Sequence, residues 1–264
     1  MVKKVLITGM SGLIGGLLKD HLIDQGGYEL TALNRSHVDG VNNHQADISD
    51  IDAISPAFEG QDVVVHLAAY LGSQDWEGQH SGNVLGTYNV FEAARRAGVK
   101  RVIFASSGNA IRGFERISPY KEIAEGRYDD VPKEYPMITH EQIRPEALYG
   151  AAKVWGEALG RHFSDDYDIS VICVRIGSVH KENIPLSVRE NAIYLGHRDI
   201  CQMLTLCINA SESIKYDVFF AVSDNKWNYR DLEHPRDILG YKPQDSADEN
   251  FFVSEDVTWE GLFL

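Results

Sequence analysis

Tyr149 and Lys153 stand four residues apart in the run Tyr149-Gly150-Ala151-Ala152-Lys153, inside a stretch whose Leu148, Ala152, Trp155 and Leu159 recur at helical spacing. Residues i and i+4 share one face of a helix, so the spacing makes the phenol and the ammonium neighbours. A neighbouring cation favours the phenolate and brings a weakly acidic tyrosine toward use as a proton acceptor. Alone, such a pair is a weak signal and is more often an aromatic and a cation on a solvated helix. Ser107 strengthens it by ending the run Phe104-Ala105-Ser106-Ser107. A serine at the carboxyl end of a parallel strand sits in the ligand crevice and can donate to a substrate oxygen. Asn83, in a helical stretch after Val63-Val64-Val65-His66-Leu67-Ala68-Ala69, completes the candidate catalytic set. These groups suit removal of a hydroxyl proton as hydride leaves the adjoining carbon.

A second constellation suits a phosphate. Thr8-Gly9-Met10-Ser11-Gly12-Leu13-Ile14-Gly15 follows an apolar strand and opens a helix. Backbone N–H groups and the helix dipole can face an anion there if no side chain blocks its approach, and glycine removes the obstruction. Gly9, Ser11, Gly12, Leu13, Ile14 and Gly15 are therefore candidate contacts for the pyrophosphate of a nicotinamide dinucleotide. The end of the second strand, Asn34-Arg35-Ser36, bears no carboxylate for a ribose hydroxyl, while Arg35 and Ser36 could hold a 2′-phosphate, so the reading leans to NADP over NAD. Asp47 is placed either to contact adenine or to cap a turn. Ile48, Leu67, Ala68, Ala69 and Ile176 complete the candidate cofactor contacts, with Tyr149 and Lys153.

The elements that must position these residues alternate. Lys3 to Thr8, Glu29 to Asn34, Asp62 to Leu67, Arg101 to Ser106, Ser170 to Ile176 and Asp217 to Val222 read as strands. Gly12 to Gln25, Asp50 to Phe58, Gln79 to Ala97, Pro145 to Tyr167 and His197 to Ala210 read as helices. The alternation predicts an α/β fold, a Rossmann-type doubly wound parallel sheet with a small C-terminal substrate-binding region. Residues 1–176 form the dinucleotide-binding core with the catalytic helix; residues 177–264 form the smaller region and a tail, interleaved with the core. Two long segments, Gly108 to Arg144 and Ser178 to Gly196, interrupt the rhythm and are expected to be functional lids or disordered inserts. The tail from Tyr241 to Leu264 is expected to pack back on the domain.

Composition sets limits on partners. Lys and Arg number 25 against 39 Asp and Glu, a formal charge of −14, which argues against nucleic acid or an anionic membrane as partner. The acidity suits solubility, or a salt-adapted host, and a small anionic substrate would need a local basic site. Cys173, Cys201 and Cys207 are odd in number and form no CxxC pair, so a reduced, cytoplasmic setting is expected. No run is long enough to span a membrane. The ten histidines show no HxxxH or HxH pairing, and no metal is expected. His66 is read as a packing or backbone-bonding residue beside the cofactor.

With these residues in view, the chain resembles the extended short-chain dehydrogenase/reductase family, the NAD-dependent epimerase/dehydratase group, from Val5 to about Ala247. More narrowly, Asn89-Val90-Phe91-Glu92-Ala93-Ala94-Arg95, Val102-Ile103-Phe104-Ala105-Ser106-Ser107, Gly156-Glu157-Ala158-Leu159-Gly160, Arg175-Ile176-Gly177-Ser178 and Gly240-Tyr241-Lys242-Pro243-Gln244-Asp245 look like segments of uronate dehydrogenases. The resemblance implies Tyr149 as base, Lys153 on the nicotinamide ribose, Ser107 polarising the reacting oxygen, and hydride moving to or from nicotinamide C4. It also implies Ser73, Ser107, Gly108, Asn109, Ser178 and Arg189 as contacts to a small sugar, with Arg189 suited to a carboxylate. It further implies a homodimer through Gln79 to Ala97 and Pro145 to Tyr167. The sequence departs from that pattern at Gly108-Asn109, in place of Asn-His after the paired serines, and at Asn34-Arg35, in place of an acidic strand end.

The leading expectation is oxidation of a free sugar, a hexuronate or related aldose, to its lactone. A nucleotide-sugar epimerase or dehydratase with tightly bound NAD is the second. Against it, the chain after Ile176 is short for gripping a nucleotide diphosphate. The third is a dinucleotide-sensing regulator without chemistry, which would not need Tyr149 and Lys153 together with Ser107.

Overall fold

The computed structural model describes residues 2–252; the end of the acidic tail, 253–264, lies outside the described residues. Seven strands form one sheet: β1 Lys3–Thr8, β2 Tyr28–Asn34, β3 Asn42–Gln45, β4 Val63–His66, β5 Arg101–Ser107, β6 Ser170–Ile176 and β7 Tyr216–Ala221. Their order is β3-β2-β1-β4-β5-β6-β7, and every pairing is parallel. The helices are α1 Leu13–Gln25, α2 Ile51–Ile54, α3 Trp76–Gly78, α4 Gly86–Ala97, α5 Tyr120–Ala124, α6 Ala147–Tyr167, α7 His197–Asn209 and α8 Glu233–Leu239.

Strands covered on both faces read as nearly continuous apolar runs, which is why β1, β4, β5 and β6 are plain in the sequence. Alternate residues then supply opposite layers. Val5, Ile7, Val63, Val65, Ile103 and Val174 face one layer, with Leu18 and Leu22 of α1 and Met203 and Leu204 of α7. Leu6, Val64, Val102, Phe104 and Val171 face the other, with Phe91 of α4 and Phe163 of α6. Each of these fully buried phenylalanines stabilises the fold by about 1.5–3 kcal/mol.

Three local departures from the sequence reading have physical reasons. β3 is Asn-Asn-His-Gln, polar and at the sheet edge, so it carries no apolar signal and exists only through its pairing with Thr31 to Asn34. The helix expected over Asp50 to Phe58 changes after Ile54 to a 3-10 turn, Ser55–Phe58, where Pro56 has no N–H to donate. The continuous helix expected from Gln79 is π-helical over Gln79–Leu85 before α4 begins. There the Asn83 amide captures the passing chain, accepting from Tyr70 N at 2.8 Å and donating to Tyr70 O at 2.7 Å.

The segment from Gly108 to Arg144 is an ordered lobe rather than a bare loop. Its two ends are clasped together: Gly113 N donates to Arg144 O at 2.8 Å, Arg144 N to Ala110 O at 2.9 Å and Glu146 N to Asn109 O at 3.1 Å. Ile111, Tyr120, Ile123 and Ile138 pack with Ala192 and Ile193 of the second long segment and with Phe220 and Tyr229. The described part of the tail does return to the body. Tyr241 is buried and donates to Val222 O at 2.9 Å, and Phe252 exchanges two backbone bonds with the Asn191 amide, both 3.0 Å. No helix among the described residues is long and apolar enough to cross a membrane.

Candidate active site

The chain leaves β1 toward β2 and β3, then returns to the other side of β1 as β4, so a crevice opens at the carboxyl ends of β1 and β4. The glycine turn lies in it. Gly9 has φ +73°, and a Cβ there would stand 2.7 Å from Ala68 N; a Cβ on Gly15 would stand 2.5 Å from both Gly9 O and Met10 Cα. Both contacts are with backbone, so neither position admits a side chain without moving the turn. Helix α1 begins at Leu13 with no side chain capping it, which leaves its first N–H groups for an anion. The turn thus fits a pyrophosphate.

A cleft of about 960 Å³ runs from this turn along the ends of the strands. It is lined by Gly9, Ser11, Gly12, Leu13, Ile14 and Gly15 at the turn, by Asn34, Arg35, Ser36, Asp47 and Ile48 on one side, and by Leu67, Ala68 and Ala69 along the floor. Ser107, Tyr149, Lys153 and Ile176 line its far end. Asn34 is buried, with Oδ1 3.5 Å from Ser11 N, while Arg35 and Ser36 are exposed beside it. Asp47 both lines the wall and caps its turn, accepting from Ser49 N at 2.9 Å and Ser49 Oγ at 2.8 Å. The Ser49 bonds, and more weakly the Arg35 cation, hold the Asp47 carboxyl below the usual range.

At the far end, Lys153 is buried and donates from Nζ to Ala105 O at 2.8 Å. The ammonium lies 5.4 Å from the Tyr149 ring centroid and 5.0 Å from that of Phe104. Burial pushes the Tyr149 phenol up to about 12, with Ser107 acting in the opposite direction, and pushes Lys153 down to about 8. His66 is pushed down to about 3, by burial first and then by the Lys153 charge, so it is neutral. Thr8 Oγ1 accepts from Ala68 N at 3.1 Å and lies 2.7 Å from His66 Nδ1, while His66 Nε2 lies 3.3 Å from Thr87 Oγ1. His66 therefore braces the cleft floor against α4 and is the packing residue expected of it.

Other candidates stand outside the cleft wall. Asn83 is buried and spent on Tyr70 and Gln79, so it shapes the floor loop without facing the reacting end. Ser73 reaches Tyr149 through its backbone, its carbonyl accepting from Tyr149 N at 3.3 Å. Gly108 is buried directly behind Ser107, and Asn109 N donates to Ser107 Oγ at 3.1 Å. The Ser178 hydroxyl donates to Glu190 at 2.8 Å. Arg189, nominated for a carboxylate, already grips one: its Nε and Nη2 donate to Glu115 at 2.6 and 2.7 Å.

Residues the sequence reading missed hold the site from behind. Ser106 donates to Glu157 at 2.5 Å, and Arg175 grips Glu157 with two bonds of 2.8 Å while donating to Gln142 O at 2.9 Å. This buried network joins β5, α6 and β6 around Ser107, Lys153 and Ile176. Its signal was present as a charge at the end of an apolar strand and a carboxylate one turn after Lys153. Among the described residues, His140, Asp217 and His234 also bring ligand-type atoms within 4.8 Å of one another. The two imidazoles stack at 4.0 Å and 13°, so their in-plane lone pairs run side by side rather than converging on one ion.

The family description "NAD dependent epimerase/dehydratase" matches residues 5–183. An NAD-dependent glucose-6-phosphate dehydrogenase of Haloferax volcanii is 32% identical, covering 97% of this chain and 98% of its own. An L-arabinose 1-dehydrogenase (NAD(P)(+)) of the same organism is 28% identical over 92% of this chain and 97% of its own. Among solved structures, a uronate dehydrogenase from Agrobacterium tumefaciens superposes with a TM-score of 0.79 at 28% identity, covering 96% of this chain and 91% of that one.

Proposed function

The chain belongs to the NAD dependent epimerase/dehydratase family, and on that premise we propose that it is an NAD(P)-dependent dehydrogenase oxidising the anomeric hydroxyl of a sugar or sugar acid to a lactone. The observation that carries this reading is the single cleft that has the glycine turn at one end and Ser107, Tyr149 and Lys153 at the other. The turn from Gly9 to Gly15 would hold the pyrophosphate, and Lys153 the nicotinamide ribose. When bound, the cofactor supplies the carbon that accepts hydride. Ser107 holds the sugar oxygen by a hydrogen bond, and Tyr149 Oη takes its proton. The C–H electron pair departs as hydride, the oxygen's pair closes a C=O bond, and the ring product needs no second acid.

We assign NADP as the preferred cofactor, because the end of β2 offers Arg35 and Ser36 to a phosphate and no carboxylate to a ribose. Replacing Arg35 by Ala should lower the NADP to NAD ratio of kcat/KM by about tenfold, the loss of one charge-assisted bond; an unchanged ratio overturns the assignment. The reading places the sugar between the strand ends and the region after Ile176. It also makes the protein a homodimer across α4 and α6, where Tyr88 and Tyr167 are exposed. Light scattering during size exclusion checks this, and a monomer mass refutes it. The three free, buried cysteines suit a reducing compartment.

The test is a panel of uronates, neutral aldoses and sugar phosphates, each with NAD and with NADP, followed by absorbance of reduced cofactor. A dehydrogenase accumulates reduced cofactor in step with sugar consumed. An isomerised sugar with no net reduction would make it an epimerase, and silence across the panel overturns the reading.

A further inference from the structure

Three guanidiniums crowd one carboxylate in the lobe beyond the carboxyl ends of β5, β6 and β7. Glu115 accepts both bonds from Arg189 and a third, of 2.5 Å, from the Tyr229 phenol. Arg112 Nε lies 3.9 Å from Glu115 and 3.6 Å from Glu146. Arg230 is 1% exposed, and its Nη2 reaches the Tyr229 hydroxyl at 3.2 Å. Arg230 Nε and Nη1, and Arg112 Nε, are buried with no hydrogen-bond partner. No carboxylate lies within ion-pair distance of Arg230 among the described residues. Burial acts against the Glu115 charge, but Arg189 first, then Tyr229 and the more distant Arg230 charge, outweigh it and keep the carboxyl below the usual range, with its hydrogen bonds taken by Arg189 and Tyr229.

A guanidinium cannot shed its proton in a protein, so a buried one must find an anion or remain strongly destabilising. The charges of Glu115 and Glu190 act on the cluster from its Arg189 side, yet three buried guanidinium nitrogens, Arg230 Nε and Nη1 and Arg112 Nε, stay without an acceptor. The cluster adjoins the reacting end of the cleft. Arg230 Nη2 is 3.6 Å from where a Cβ on Gly108 would stand, and Gly108 directly follows Ser107; the absent side chain leaves the guanidinium next to the strand end. Arg112 pairs with Glu146, whose N–H is clasped to Asn109 O and which directly precedes the helix of Tyr149.

We propose that Arg230, with Arg112 beside it, is the subsite for an anionic group on the sugar, a phosphate or a carboxylate remote from the anomeric carbon. This rests on the dehydrogenase reading and narrows its substrate to an anionic sugar. Arg189, nominated for that role by the sequence, is the residue that holds Glu115 in place. Arg230 is sealed from solvent here, so filling the subsite requires the lobe to shift off the strand ends.

The test compares the wild type, Arg230→Gln and Arg230→Lys, all with cofactor, on a hexose phosphate, a hexuronate and the parent neutral hexose. Losing a charge-assisted contact should raise KM for the preferred anionic sugar by about 30-fold in Arg230→Gln, with kcat nearly unchanged and the neutral sugar unaffected. Arg230→Lys should recover part of the loss. Whether the phosphate or the uronate responds identifies the anion. Inorganic phosphate or sulfate should compete with the anionic sugar and raise the melting temperature of the wild type but not of Arg230→Gln. If Arg230→Gln melts before assay, Arg112→Gln takes its place with the same expectations. A wild type that turns over the neutral hexose best and ignores inorganic anions overturns the subsite while leaving the dehydrogenase standing, as does a variant that loses all three sugars equally. No turnover of any sugar, with phosphate still raising the wild-type melt alone, would overturn the dehydrogenase and keep the anion site.

Discussion

Lys153, rather than Tyr149, should set the pH at which catalysis switches on. Burial places the phenol at about 12 and the lysine at about 8, so the first proton to leave the pair as pH rises is the ammonium's. The reactive arrangement is a phenolate beside an ammonium. It carries the same number of protons as the dominant arrangement above pH 8, a neutral phenol beside a neutral amine. The ratio of the two is therefore independent of pH and is set by the gap between their ionisations. A gap of about four pH units, at about 1.36 kcal/mol each, puts the reactive form about 5 kcal/mol uphill.

It follows that kcat/KM for the sugar climbs about tenfold per pH unit below pH 8, where the pair holds one proton too many, and is level above it. A cationic nicotinamide beside the pair lowers both ionisations and moves the break downward without detaching it from Lys153. In Lys153→Met the phenol must ionise unaided, so the break near 8 disappears and the rate still climbs through pH 9 and 10. The assay is steady-state kcat/KM from pH 6 to about 10.5 at saturating cofactor, with Tyr149→Phe as blank. A break near pH 8 that survives Lys153→Met refutes the argument.

Tyr149→Phe removes the proposed proton acceptor and should cut kcat by about 10²- to 10⁴-fold. Its dinucleotide Kd, read by quenching of protein fluorescence, should stay near the wild-type value; full turnover would rule Tyr149 out as the base. Gly15→Ala drives a Cβ to 2.5 Å from Gly9 O and Met10 Cα, so it should cost about 1–3 kcal/mol in a urea melt and weaken dinucleotide binding. Unchanged values of both would show that the turn has slack. Glu157→Gln leaves the Arg175 charge uncompensated at 1% exposure and should cost about 3–5 kcal/mol in chemical denaturation. A loss below about 1 kcal/mol would mean that the Gln142 carbonyl suffices to hold that guanidinium.

The sheet was legible because its inner strands are covered on both faces and read as apolar runs, and the cleft because a phosphate turn restricts which residues can stand at Gly9 and Gly15. Helical spacing made Tyr149 and Lys153 neighbours, but only Ser107 at the end of an apolar strand and the glycine turn set the pair apart from a solvated aromatic and cation. β3 was not, because Asn42 to Gln45 owe their conformation to a neighbouring strand rather than to their own pattern. Asn83 looked catalytic by position, yet its amide is committed to a π-helical turn that spacing arguments do not reveal. Arg189 looked free for a ligand because its partner Glu115 lies 74 residues earlier, in a segment with no periodic signal of its own. The arginine cluster was hidden for the same reason: its members become neighbours only after β5, β6, β7 and the lobe have assembled.

The clasp joining Ala110 and Gly113 to Arg144 bears on how this enzyme could be altered. The entropy of closing a loop grows only with the logarithm of its length, so doubling the excursion beyond the clasp costs only about 0.6 kcal/mol. The excursion leaves and re-enters at nearly one point, between a finished strand and the first turn of α6. Whatever is spliced there need not disturb the placement of Ser107 or Tyr149. The clasp is thus a socket: lobes of different size and chemistry could be exchanged in it as cassettes, changing what lies over the strand ends while Ser107, Tyr149 and Lys153 stay where they are.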